Sequence, residues 1–160
     1  MDLKDLLSRH ARSGRIDWIG LRPARLAPVE PVEAAHLLET GLEGDHHASG
    51  GKRAVTLIQA EHLPLIASLV GTAAIEPARL RRNIVVSGIN LAALRHRTVA
   101  LGGAQIEISG PCAPCSRMEK ELGFGGYNAM RGHGGWYARV VRSGRVAVGE
   151  VVMPASTAVD

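Results

Sequence analysis

The apolar positions of this chain fall into short runs separated by glycine and proline, and most runs have strand character. Residues 15–21 alternate and predict a strand with Ile16, Trp18 and Ile19 inward. Residues 54–58 form a compact apolar run suited to a buried strand, and 83–87 are β-branched through Ile84, Val85 and Val86. Residues 98–101 and 104–109 flank Gly102-Gly103, a two-residue hairpin signal. Residues 137–142 and 145–152 flank Ser143-Gly144 and predict a second hairpin. Helical spacing occurs in two places. Residues 2–13 put Leu3, Leu6 and Leu7 on one side, ended by Gly14. Residues 59–69 read as a helix with Leu63, Ile66, Ala67 and Val70 at helical spacing, and Pro64 is tolerated in its first turn. Pro28 and Pro31 break the segment after the first strand into an extended, turn-rich stretch.

Six or seven short strands, few helices and no βαβ alternation predict a mainly β (α+β) fold. The pattern favours a closed or nearly closed β-barrel with a few short helices. The expected organisation is a helical extension at 1–14, one barrel domain at 15–152 and a flexible tail at 153–160. At 160 residues the chain is long enough for one self-sufficient core.

Composition narrows the classes. The longest uncharged apolar stretch, 62–75, holds Pro64 and Gly71 and is too short for a bilayer span. The N-terminus has no apolar signal region, and two cysteines make no disulfide framework. A cytoplasmic protein with reduced thiols and no membrane partner is expected. The net charge is +4, and 16 of the 19 basic residues are arginine. Arginine suits forked contacts with phosphate and carboxylate, although a GC-rich genome produces the same bias. The five aromatics, Trp18, Phe124, Tyr127, Trp136 and Tyr137, are too few for a base-stacking platform, so no nucleic-acid partner is expected.

Four segments carry candidate chemistry. Gly110-Pro111-Cys112-Ala113-Pro114-Cys115-Ser116-Arg117-Met118-Glu119 comes directly after a strand. Ser116 and Glu119 have capping-box spacing and predict a helix from Arg117 to Leu122. The helix start and Arg117 would then favour a thiolate at Cys115 over Cys112. The alternatives are two buried cysteines acting as small hydrophobes, a redox dithiol, or half of a zinc site completed by His46, His47 or His133. Gly44-Asp45-His46-His47 with Lys52-Arg53 offers backbone amides and cations for an anionic ligand. Arg79-Leu80-Arg81-Arg82-Asn83 runs into a strand, which would put Arg79, Arg81 and Asn83 on one face and Arg82 on the other; so many cations suggest an anionic partner. Finally, six of the thirteen positions 123–135 are glycine, which reads as a lid or substrate loop.

Taken in order, these pieces resemble one family. They are Gly-Leu-Glu-Gly-Asp at 41–45, Lys52-Arg53-Ala54-Val55, Arg82-Asn83-Ile84, Pro114-Cys115, Gly132-x-x-Gly135-Trp136-Tyr137-x-Arg139-Val140, and Gly144-Arg145-Val146-x-Val148-Gly149-Glu150. Over roughly 15–152 they resemble the MOSC domain, named for the C-terminal domain of molybdenum cofactor sulfurase. The resemblance implies a barrel-like β fold. It implies that Cys115 carries sulfur as a persulfide or ligates molybdenum, and that Gly44, Asp45, Arg53 and Asn83 line the same cleft. His47, Lys52, Arg81 and Arg82 complete the candidate cofactor-binding set, in which Arg53, Arg81 and Arg82 would hold the cofactor's phosphate. The implied cofactor is the molybdenum cofactor, and the family also carries an association with pyridoxal phosphate. The arginine usual in this family shortly before the cysteine is absent, and Cys112 stands in that neighbourhood. The N-terminal barrel of amidoxime-reducing relatives and the desulfurase and ferredoxin modules of longer ones are also absent. The expectation is a stand-alone domain supplied by a cysteine desulfurase or other sulfur donor, or by a separate reductase acting on a small-molecule substrate. As an enzyme it would be sulfurtransferase-like or a molybdenum-dependent oxidoreductase of N-hydroxylated compounds. Two competing readings are a non-catalytic anion-binding barrel and a Cys112/Cys115 dithiol redox protein.

Overall fold

The computed structural model describes residues 1–156. A five-residue helix α1 (Leu3–Leu7) comes first; it buries nothing, so no tertiary contact extends it to the predicted residue 13. Strand β1 (Gly14–Leu21) leads into three short strands, β2 (Glu30–Val32), β3 (Ala34–Leu38) and β4 (Gly41–Leu42). Next come β5 (Val55–Gln59), helix α2 (His62–Val70), α3 (Pro77–Leu80) and β6 (Ile84–Ser87). The hairpin of β7 (Thr98–Leu101) and β8 (Ala104–Pro111) leads to α4 (Ser116–Leu122) and α5 (Gly126–Met130). The chain ends with β9 (Trp136–Arg142), β10 (Gly144–Ala147) and β11 (Val151–Pro154).

The order β11-β7-β8-β9-β5-β6-β1, closed by β1 pairing with β11, makes a seven-stranded barrel with β2 appended to β1. Closure removes the exposed edges that an open sheet would have. A small sheet in the order β10-β3-β4 contributes Leu37, Leu42 and Val146 to the barrel interior. The interior is filled by apolar side chains such as Ile16, Leu57, Ile84, Leu101 and Ile106. A second cluster, with Ile58, Ile66, Leu80, Val85, Met118 and Met130, lies outside the wall beneath α2 to α5. All five residues of β5 are buried because the barrel covers one face and helices the other. That is why this strand reads as a continuous apolar run.

Five expectations are corrected. First, β5 and β6 are parallel and joined through α2 and α3, so one βαβ crossover is present. Second, β9 forms no hairpin with the run at 145–152. That run turns at Gly149, so β10 joins β3 while β11 joins β7 and β1. Third, a bulge between Ile16 and Trp18 reverses the pleat. Ile16 and Ile19 face the barrel interior, whereas Trp18 packs in the outer cluster. Fourth, Arg79 belongs to α3 and Arg81 is left-handed with φ 56°, so residues 79–83 share no strand face. Fifth, 123–135 is not one open loop, since α5 occupies its centre. At its end the sheet continues through Pro154, which pairs with Val99; positions 157–160 of the expected tail lie outside the described residues.

Candidate functional site

A polar network sits where β1 ends and β5 and β6 begin. Asp45 is buried and accepts hydrogen bonds from the Arg22 backbone (2.7 Å), from Arg22 Nε (3.1 Å) and from Arg22 Nη2 (2.8 Å). Asn83 Nδ2 donates to Asp45 Oδ1 (3.2 Å) and to the Gly20 carbonyl (3.1 Å). Its Oδ1 accepts from the Thr56 backbone and hydroxyl, and the Thr56 hydroxyl accepts from the Asn83 backbone (2.9 Å). Three strands are thus tied by one asparagine, which explains an amide among apolar neighbours. Burial works against charge on Asp45, but the Arg22 bonds prevail and hold its carboxyl below the ordinary value. The two-pronged contact fixes the Arg22 guanidinium at the mouth of a cleft.

That cleft, of about 620 Å³, is lined by Arg22, Arg25, Arg81, Arg82, Arg117 and Lys120, with Cys115 on its wall and Glu121 as the one acidic group among the described residues. Cys115 is exposed and free. It stands as the residue before α4, and its carbonyl accepts from the Met118 backbone (2.9 Å). The capping box is not made. Ser116 is the first helical residue, and Glu119 turns away to accept from the Gly125 and Tyr127 backbones (2.9 Å each). Those two donors hold the Glu119 carboxyl below its ordinary value and dock α5 onto α4.

The arginines before β6 are held largely by backbone carbonyls. Arg81 donates to the carbonyls of Ala24 (3.2 Å), Arg25 (3.0 Å) and Ala27 (2.5 Å), and Arg117 also reaches Arg25 (3.1 Å). Arg82 is buried and donates to Gly134 (2.6 Å) and Leu80 (3.1 Å). These bonds fix the guanidiniums without neutralising them, so the cleft keeps its positive charge. Arg81 shows the consequence: burial and then the charge of Arg117 lower its pKa from the ordinary arginine value.

Of the sequence-predicted residues, Cys115, Arg81 and Arg82 share the cleft, and Asp45 and Asn83 stand behind it through Arg22. Gly44, with φ 92°, packs on Leu21 just before Asp45. His47 donates its backbone N–H to Asp45 (3.2 Å), while its Nε2 is buried without a partner among the described residues. Lys52 and Arg53 are not brought to the cleft. They sit in a short turn against β8 and β9, where Arg53 stacks on Tyr137 at 4.8 Å. Tyr137 in turn neighbours Cys112; burial first, then that thiol, push its phenol pKa upward.

Cys112 is buried and turned to a different cavity from that of Cys115. Its N–H donates to the Gly135 carbonyl (2.8 Å). A Cβ on Gly134 would strike the Cys112 carbonyl, and one on Gly135 would strike the Leu57 carbonyl. These glycines permit close backbone approach, and loop mobility is not their purpose. The residue that sequence reasoning missed is Arg22. Its partner Asp45 is 23 positions away, and a lone arginine after a strand carries no local signal.

A family model for the MOSC domain matches residues 43–153, more than two-thirds of the chain. The chain belongs to the MOSC family. No curated protein matches this MOSC chain in sequence. Among solved structures it resembles the YuaD protein from Bacillus subtilis, with a TM-score of 0.78 and 18% identity over 90% of this chain and 96% of that one. It also resembles YiiM from Geobacillus stearothermophilus (TM-score 0.75, 17% identity, 91% and 77% covered). YiiM from Escherichia coli is similar at TM-score 0.70 and 23% identity, with 91% and 72% covered. At such identities the likeness establishes the fold. No helix among the described residues is long and apolar enough to cross a membrane.

Proposed function

We propose that Cys115 is the working thiolate of a sulfur- or molybdenum-handling site, with the arginine cleft as its anion receptor. The observation that supports this most is the exposed thiol on the wall of a cleft lined by five arginines. As a carrier, the Cys115 thiolate attacks the terminal sulfur of a donor's persulfide. A new S–S bond forms at Cys115, the donor's S–S bond breaks, and the donor leaves as a thiolate. Guanidiniums around the cleft stabilise the anionic persulfide that results. A cysteine desulfurase is the donor of matching chemistry.

The donor set also suits the molybdenum cofactor. Among the described residues no group of three His, Cys, Asp or Glu side chains could hold a bare metal ion. Cys115 would add one thiolate ligand, and Arg22, Arg81, Arg82 and Arg117 would bind the phosphate. When bound, the cofactor would supply a redox-active metal for reduction of N-hydroxylated compounds. Asp45 would keep Arg22 aimed into the cleft, and Arg82, anchored on Gly134, would stay in place as the ligand exchanges.

Intact mass spectrometry after incubation with a cysteine desulfurase and cysteine tests the carrier reading. Wild type and Cys112→Ala should gain one sulfur atom, and Cys115→Ala should gain none. No gain in any form would reject sulfur carriage. Molybdenum analysis of freshly purified wild type against Cys115→Ala then decides the cofactor reading.

A further inference from the structure

On the other side of the 112–115 loop lies a second cavity, of about 430 Å³, onto which Cys112 opens. Its walls are mostly apolar, with Trp136 and Tyr127 supplying aromatic surface and His62 an imidazole. Volume and lining are those of a small-molecule site. The walls are also fixed in advance. Gln59, at the back, donates to Ile89 (2.9 Å) and Glu61 (2.7 Å) and accepts from the Leu91 backbone (3.0 Å). His62 meets His133 edge-on at 5.2 Å, and burial, then that neighbour, favour its neutral form.

The charge pattern selects the ligand. Among the described residues no carboxylate side chain lines this cavity. Arg131 lines it and takes part in none of the ion pairs among the described residues. Arg95 lies over the Trp136 ring at 5.9 Å and adds positive charge beside it. Asn90, also on the wall, accepts from the Ala92 backbone through Oδ1 (3.2 Å), which leaves its N–H₂ group to donate. An apolar space with aromatic walls, donors at its edge and no acid suits a flat ring bearing an anion, and disfavours an aryl amine.

We propose that the Cys112 cavity is a binding site for a small aromatic carboxylate, its ring against Trp136 and Tyr127 and its carboxylate on Arg131 and Asn90. The site is separate from the Cys115 cleft and does not depend on sulfur or molybdenum chemistry there.

The full chain titrated with 2-naphthoate tests this, read by tryptophan quenching and by equilibrium dialysis. Saturable binding of one molecule per chain is expected, undiminished by excess inorganic phosphate. Arg131→Ala should weaken it about tenfold, as loss of one charge-assisted contact. Ala92→Phe should abolish it by filling the cavity; Ala92 is exposed on a short turn, so the larger side chain displaces no buried residue, and an unchanged melting temperature would check that the variant is folded. Bound 2-naphthoate should also slow iodoacetamide labelling of Cys112. Absence of saturable binding would overturn the proposal. So would binding that phosphate competes away, that Arg81→Ala weakens and that Ala92→Phe leaves intact, because the probe would then occupy the arginine cleft.

Discussion

Cys112 and Cys115 are two cysteines three positions apart on one loop, yet they inhabit different chemical worlds. Cys112 is 5% exposed, tied by its N–H to Gly135 and turned to the aromatic cavity. Cys115 is exposed at the start of α4 and faces guanidiniums. The difference comes from neighbours distant in sequence. Gly134 and Gly135 draw one end of the loop onto the barrel, and Arg22, Arg81 and Arg82 surround the other. A C-x-x-C spacing therefore does not define a functional pair. The packing of the loop assigns each thiol its own cavity.

The largest break in this arrangement should come from Gly135→Ala. At φ 91° an alanine is strained, and its Cβ would meet the Leu57 carbonyl oxygen in β5, which cannot yield. We expect a loss of about 4 kcal/mol in urea unfolding, from strain and overpacking together. Stability within about 0.5 kcal/mol of wild type would show that close approach at Gly135 is not what seats Cys112.

Asp45→Asn should come next, because it leaves Arg22 without its counter-charge in a nearly buried site. A cost of about 3 kcal/mol at pH 7 is expected for breaking one side of such a pair. The sign with pH derives from the lowered carboxyl of Asp45. Its contribution is complete above the unfolded-state pKa of about 4 and is lost as pH falls through the lower folded value. The gap between wild type and variant should thus be full at neutral pH and close under acid. A gap independent of pH would mean that the carboxylate charge does not hold Arg22.

A smaller effect, on rate, separates the thiols themselves. Iodoacetamide should label Cys115 at least about tenfold faster than Cys112, whose thiol is buried on the wall of the aromatic cavity. Equal rates, read by peptide mass spectrometry, would erase the contrast between the two cavities.

How much of this is legible in the sequence depends on the range of the interactions. Alternation and the Gly102-Gly103 turn disclose β1, β7 and β8, because both signals lie within a strand or one hairpin. The strands β2, β3 and β4 are hidden by their brevity and by Pro31, and β10 and β11 merge into one run because the turn at Gly149 interrupts it by few residues. Cys115 and the arginines before β6 are visible as residue types. Arg22 is not, since its meaning lies in Asp45 and Asn83, one from a distant turn and one from the bend before β6. The glycines at 132–135 are visible but suggest flexibility, because sequence does not show which backbone approaches them.

The smallest expected effect tests the link between the two cavities. Glu119 has the spacing of half a capping box, and a box would have placed its influence at the start of α4, beside Cys115. Its carboxylate instead accepts from Gly125 and Tyr127, so it holds α5, which carries Tyr127 to the aromatic cavity. Glu119→Gln should lower the melting temperature slightly at neutral pH. The difference should fade as pH falls through the lowered carboxyl pKa, since the charged form is the one the two N–H groups favour. The same variant should leave the alkylation rate of Cys115 unchanged and raise that of Cys112, as α5 loosens over the cavity. A faster Cys115 with an unchanged Cys112 would return Glu119 to the helix start and undo the separation of the two cysteines that the loop imposes.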